Sequence, residues 1–405
     1  MSRAKPPDQS RAESSDGGFM RISILGVTGS IGGSTLDVVE QLGGRERFDV
    51  EAVTGHGNIA RLAAKAVSSG AKIAVTSNPA CYAELKSALA GTGIEAAAGR
   101  EALCDAAERP VDWVMAAIVG IAGLEPTLRA ARSGATIALA NKECLVSAGS
   151  LFQAAIAQAG GTLLPVDSEH NAIFQVLERD QDHAVERIIL TASGGPFRTW
   201  TRERMAGASV AEAAGHPRWS MGQKISIDSA SLFNKGLEMI EAEHLFGAPG
   251  RALEVVVHPQ SVIHSMVGYS DGSVLAQLGS PDMRTAIGYA LSFPRRPNLD
   301  VERLDFAKLS RLDFEAPDET RFPALRLAGQ AIAAGGLSGA ILNGAKEAAL
   351  EAFIAGRCGF LDMASVVERV MEEMGAPPAT SLDAVFAADT EARGRAAVHL
   401  ARLAA

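Results

Sequence analysis

Cysteine is scarce. Cys81, Cys104, Cys144 and Cys358 are scattered over 405 positions with no C-x-x-C pair. That excludes a disulfide framework and a thiolate metal site, and makes a reducing, cytoplasmic setting the default. Positive charge is short too: 38 Lys and Arg against 47 Asp and Glu leave a formal net charge of -9. This excludes a nucleic-acid partner, which needs clustered basic residues. An anionic small molecule stays open, because a local basic pocket can sit in an acidic protein. Residues 1–18 lack an apolar run and carry Asp8, Glu13 and Asp16, so they read as a disordered leader and not as a targeting peptide. Residues 327–345 are uncharged and approach the ~20 residues of a membrane span. Gln330, Ser338, Asn343 and the Gly335-Gly336 break instead predict two short buried helices and no membrane partner. Internal repeats are lacking.

Hydrophobic residues at 47% and charged residues at 21% suit sizeable cores, and the length suits two or three domains. Strand signals at 21–25, 48–53, 72–76, 111–118, 136–140 and 162–166 alternate with helical spacing such as 31–42, 59–66 and 124–133. That predicts an α/β, Rossmann-like fold: a parallel sheet covered on both faces, with ligands at the carboxyl ends of its strands. From about residue 185 the texture becomes mixed α+β, with strands at 188–191, 253–258, 262–269 and 273–277. A Gly/Ser/Pro/Arg-rich loop spans 193–223. Residues 293–323, rich in Pro, Arg and Asp, read as a connector, and an Ala-rich helical domain follows from 324.

Three segments carry chemistry. Gly26-Val27-Thr28-Gly29-Ser30-Ile31-Gly32-Gly33 follows a strand and opens a helix. It is either a pyrophosphate-binding turn or a tight turn without a ligand. The second strand ends in Thr54-Gly55-His56-Gly57-Asn58 without the acid an NAD site places there, and Arg61 follows. This favours NADP, with a solvated Arg61 as the alternative. In Pro165-Val166-Asp167-Ser168-Glu169-His170-Asn171, the residues two apart, Asp167 and Glu169, project to one side and converge on a cation or proton, or else cap a helix. Farther on, Asn234 and Glu238 share a helix face beside Lys235. A third carboxylate would complete an oxygen-only site, which selects Mg²⁺ or Mn²⁺. Glu238 as a plain surface residue is the other reading.

The strings GVTGSIG, ALANKE, PVDSEHNAIFQ, ASGGPF, HPRWSMG, KISIDSA, NKGLE and HPQSVIHSMV closely resemble the 1-deoxy-D-xylulose 5-phosphate reductoisomerase family, in that family's order. The resemblance implies an NADPH-binding domain (19–167), a catalytic and connective domain (168–292) with a lid (193–222), a linker (293–323), a C-terminal helical bundle (324–405) and a homodimer. It implies metal-assisted retro-aldol rearrangement of 1-deoxy-D-xylulose 5-phosphate, then hydride reduction by NADPH to 2-C-methyl-D-erythritol 4-phosphate. Matched positions assign cofactor contacts to Gly26, Thr28, Gly29, Ser30, Ile31, Gly57, Asn58, Asn141, Glu143 and Gly222. Asp167, Glu169 and Glu238 match metal ligands. Lys142, Ser168, Glu169, Ser193, His216, Trp219, Ser229, Asn234, Lys235 and Glu238 match substrate contacts, with Glu169, Lys235 and His216 in catalytic roles. Trp200, Trp219 and Met221 would close with the lid. His170 is expected to make a structural hydrogen bond, and the residues alone read His258 and His264 as satisfied core histidines. Two positions depart from the family pattern. Gly57 replaces a Lys or Arg, leaving His56 or Arg61 to meet the 2′-phosphate. Lys346 replaces an Asn and is expected to affect the helical domain, not the chemistry.

Overall fold

A computed structural model describes residues 19–403 apart from 218, 220, 221, 248 and 249. The leader at 1–18, Arg218 and Met221 lie outside the described residues. The chain forms two units, each assembled from separated segments: the residues up to Cys144, Phe152–Asn171 and Asp282–Glu302 in one, and Leu145–Leu151, Ala172–Pro281 and Arg303 onward in the other.

The first unit is built on seven strands: β1 (Met20–Leu25), β2 (Phe48–Gly55), β3 (Ile73–Thr76), β4 (Glu95–Ala98), β5 (Trp113–Ala116), β6 (Thr136–Leu139) and β7 (Thr162–Pro165). They pair in parallel in the order β4-β3-β2-β1-β5-β6-β7. Strands buried on both faces read as continuous apolar runs, which is why β3 and β5 were visible as short unbroken hydrophobic stretches. β4 is a strand without a sequence signal: Glu-Ala-Ala-Ala carries no strand propensity and forms by adding to the edge of the sheet. The strand order reverses beside β1, which places a ligand crevice at its carboxyl end. The Met283–Ser292 helix, distant in the chain, packs here: Ala290 O accepts from Trp113 Nε1 at 3.2 Å, and Arg284 pairs with Asp37 at 3.0 Å.

The second unit holds β8 (Val185–Ala192), β9 (Ala252–Val257), β10 (Ile263–Tyr269) and β11 (Val274–Leu278), in the order β11-β10-β8-β9. The Phe233–Phe246 helix covers this sheet through Ala242 and Phe246, against Ile188, Leu190 and Val267. The 193–223 stretch is not wholly a loop. Thr201 caps a short helix, Arg202–Ala206, and a Ser209/Glu212 capping box starts another, Val210–Ala213. Trp200 packs on Phe197, which meets Phe360 edge-on. The uncharged 327–345 stretch does divide at Gly335-Gly336, both with positive φ, between helices Ala324–Ala334 and Ser338–Ile354. Among the described residues no helix is long and apolar enough to cross a membrane.

Candidate functional site

In the first unit the glycine turn joins β1 to the Ser30–Gln41 helix. Gly26 has φ +93°, and a Cβ on it would lie 2.6 Å from the Ala117 carbonyl oxygen. A Cβ on Gly32 would stand 2.4 Å from the Gly26 carbonyl oxygen, so only glycine lets the helix close onto the turn. Gly29 is an N-cap without a side-chain acceptor, leaving the first N–H groups of the helix open to an anion. Thr28, Ser30 and Ile31 line the turn unburied. Gly57 has open space where a side chain would project. Asn58 caps the Ile59–Ser69 helix, its Oδ1 accepting the Arg61 N–H at 3.1 Å. His56 Nδ1 is held 2.8 Å from Ser77 Oγ. Arg61 makes no ion pair among the described residues, and its Nη2 lies 3.4 Å from where a Cβ on Gly33 would stand. The guanidinium therefore reaches back over the start of the Ser30–Gln41 helix.

Asn141 and Glu143 brace the loop after β5. Asn141 Nδ2 donates to the Ile118 carbonyl and, at 3.0 Å, to that of Gly120. Glu143 Oε1 accepts the Gly120 N–H at 3.2 Å. After β7 comes the acidic pair. Asp167 answers the capping alternative in part, since its Oδ1 accepts the Glu169 N–H at 3.2 Å. Its Oδ2 receives Lys142 Nζ at 3.0 Å. Ser168 Oγ donates to Glu169 Oε2. His170 is fully buried, with Nδ1 3.7 Å from Asp167 Oδ1.

In the second unit Ser193 follows β8, and its Oγ accepts the Gly195 N–H at 3.2 Å and lies 2.9 Å from His216 Nε2. His216 Nδ1 accepts the Trp219 N–H at 2.9 Å, so the ring proton sits on Nε2, which donates to Ser193. Burial lowers the His216 pKa, which agrees with a neutral ring. The Trp219 ring is 6.0 Å from that of His264, whose pKa burial pushes down to about 4. His258 is fully buried and satisfied: its Nδ1 meets Asp313 O at 2.9 Å, and its Nε2 accepts the Val262 N–H at 3.3 Å.

Gly222 is the N-cap of the Gln223–Ala230 helix, which carries Ser229. Leu232, at φ 61°, turns the chain between this helix and Phe233–Phe246. A left-handed non-glycine residue costs roughly 1 kcal/mol, and such residues concentrate at functional sites. Beyond the turn, Asn234 Nδ2 donates to one oxygen of Glu238 and Lys235 Nζ to the other. Glu238 is only 1% exposed, which removes the surface-residue reading. Spacing gave no sign of Lys224, Asp228 and Glu347, which form a charged cluster with Lys346.

Family profiles described as 1-deoxy-D-xylulose 5-phosphate reductoisomerase match residues 22–149 and, for its C-terminal domain, 163–246. A DXP reductoisomerase C-terminal domain matches 278–395. The reductoisomerase of Sinorhizobium medicae is 70% identical over 378 residues, covering 93% of this chain and 97% of the relative. A Zymomonas mobilis reductoisomerase solved with NADPH superposes with a TM-score of 0.89 at 52% identity, covering 95% of this chain and 99% of that one. A structure of DOX-P reductoisomerase with NADPH, fosmidomycin and magnesium gives 0.89 at 41% identity, covering 94% and 98%.

Proposed function

The chain belongs to the 1-deoxy-D-xylulose 5-phosphate reductoisomerase family, and from that premise we infer that it converts 1-deoxy-D-xylulose 5-phosphate to 2-C-methyl-D-erythritol 4-phosphate. It is an NADPH-dependent oxidoreductase that also uses a divalent metal ion. The observation that carries the reading is the group Asp167, Glu169 and Glu238, three carboxylates suited to one ion. The donors are all hard oxygens, so the set fits Mg²⁺ or Mn²⁺. When bound, the ion supplies Lewis acidity toward the substrate's ketone and hydroxyl oxygens, and NADPH supplies the hydride.

The protein's own residues bind and orient. Lys142 and Lys235, each ion-paired to one of these acids, keep the negative charge of the site balanced. Ser193 Oγ receives two donors, Gly195 N–H and His216 Nε2–H, so its own proton points outward to a phosphate oxygen. Asn234 and Ser229 add donors, and Trp219 excludes water. Asn141 and Glu143 serve the cofactor by holding the 118–120 loop.

Arg61 takes the 2′-phosphate in place of a cation at position 57. Arg61→Ala is expected to raise the NADPH KM roughly tenfold or more, the size of one charge-assisted hydrogen bond, and to leave the NADH KM unchanged. Equal effects on both cofactors would assign the 2′-phosphate elsewhere. The protein acts in the cytoplasm, in keeping with four free cysteines. It is a homodimer, supported by edge strand β11 with Val274 and Leu275 exposed, an edge suited to pairing with a second copy. Light scattering is expected to return twice the chain mass, and a monomeric mass at micromolar concentration rejects the dimer. The activity itself is tested by NADPH absorbance with 1-deoxy-D-xylulose 5-phosphate and Mg²⁺ or Mn²⁺. No oxidation of NADPH under either ion would defeat the assignment.

A further inference from the structure

We propose that Lys346 is a positioning residue for substrate binding: its buried ion pair with Asp228 holds the Gln223–Ala230 helix where Ser229 meets the phosphate of the sugar. The inference rests on the reading of Ser229 as a substrate contact.

Lys346 lies on the Ser338–Ile354 helix, is 2% exposed, and is absent from any role in the reaction as derived above. Its Nζ is 2.9 Å from Asp228 Oδ2 and 2.5 Å from Glu347 Oε1. Lys224, one turn before Asp228, reaches Glu347 at 3.3 Å and Glu351 at 2.9 Å. Bases and acids thus interlock across the two helices. Burial alone would raise the Glu347 pKa, yet Lys346 and Lys224 overcome it and hold the carboxyl at about 2. Glu347 is therefore ionised at neutral pH, and the buried charges of Lys346, Asp228 and Glu347 need each other's geometry.

The same end of this helix is held a second time. A Cβ on Gly195 would lie 2.8 Å from the Ser229 carbonyl oxygen, so the loop that carries Ser193 packs directly on the residue after Asp228. Ser229 sits between that loop and the ion pair. A helix turns about 100° and rises 1.5 Å per residue, so a small slip at Asp228 moves Ser229 relative to the loop that carries Ser193. A neutral Asn at 346, the residue of the family pattern, is two bonds shorter and would bring neither the reach to Asp228 nor a charge to hold Glu347.

The test is Lys346→Met, which keeps most of the length and volume of the side chain and removes its charge, with steady-state kinetics in both substrates and a thermal melt. The KM for 1-deoxy-D-xylulose 5-phosphate is expected to rise roughly tenfold to a hundredfold, the effect of displacing a binding group by about an ångström. The NADPH KM should stay at the wild-type value. Lys346→Asn, which removes the same charge, gives the answer should Lys346→Met not fold: a sugar-phosphate KM raised roughly tenfold to a hundredfold supports the proposal. An unchanged sugar-phosphate KM in either folded variant overturns it. So does an equal rise in both KM values with a fallen melting temperature, which would mark general loosening. Wild-type enzyme inert toward the sugar phosphate would defeat the function assigned above and is read separately in the same assay.

Discussion

Glu238→Gln is expected to fold and to lose turnover by about 10²-fold or more, beyond the 10–100-fold typical of merely supporting groups around a metal. The substitution conserves shape, and glutamine retains one oxygen to accept from Asn234 or Lys235. It removes one of the three negative charges proposed to hold the cation and turns an amide NH₂ toward its neighbours. Glu238 is 1% exposed and ion-paired to Lys235, so a lowered melting temperature accompanies the change, since removing one partner of a buried pair destabilises. Circular dichroism establishes that the variant is folded. Turnover is then measured at saturating Mg²⁺. Near-normal turnover would take Glu238 out of the metal shell.

The second large effect comes from stripping the ion. EDTA is expected to abolish turnover, and Mg²⁺ or Mn²⁺ to restore it. Lewis-acid stabilisation is worth several kcal/mol, and each 1.36 kcal/mol is a factor of ten in rate. NADPH binding, followed by fluorescence, should survive chelation. The turn at Gly26 and Gly29 offers backbone N–H groups and a helix N-terminus to the pyrophosphate, none of which needs a cation. Full activity in EDTA would point to an ordinary dehydrogenase. Loss of NADPH binding on chelation would tie the ion to the cofactor and contradict the division of roles drawn here.

Much of this was legible because it is local. The parallel sheet announced itself in apolar runs such as Trp113–Ala116, buried on both faces. The two helices inside 193–223 carried their caps openly at Thr201 and at Ser209 with Glu212, although the glycine and proline around them masked the signal. Glu95–Ala98 was illegible for the opposite reason: alanine has no strand preference, and only the neighbouring β3 made it a strand.

Local spacing alone therefore determined the glycine turn after β1, the sheet that presents it, and the acidic and amide residues offered by Asp167, Glu169, Asn234 and Glu238, since each depends on side chains within a turn or two of one another. Tertiary structure alone decided that Arg61 lies over Gly33, that Met283–Ser292 packs on Trp113, and that Lys346 meets Asp228 across 118 positions. Electrostatic pairing acts through space, and partners so far apart in the chain leave no periodicity for a reader of the sequence to find.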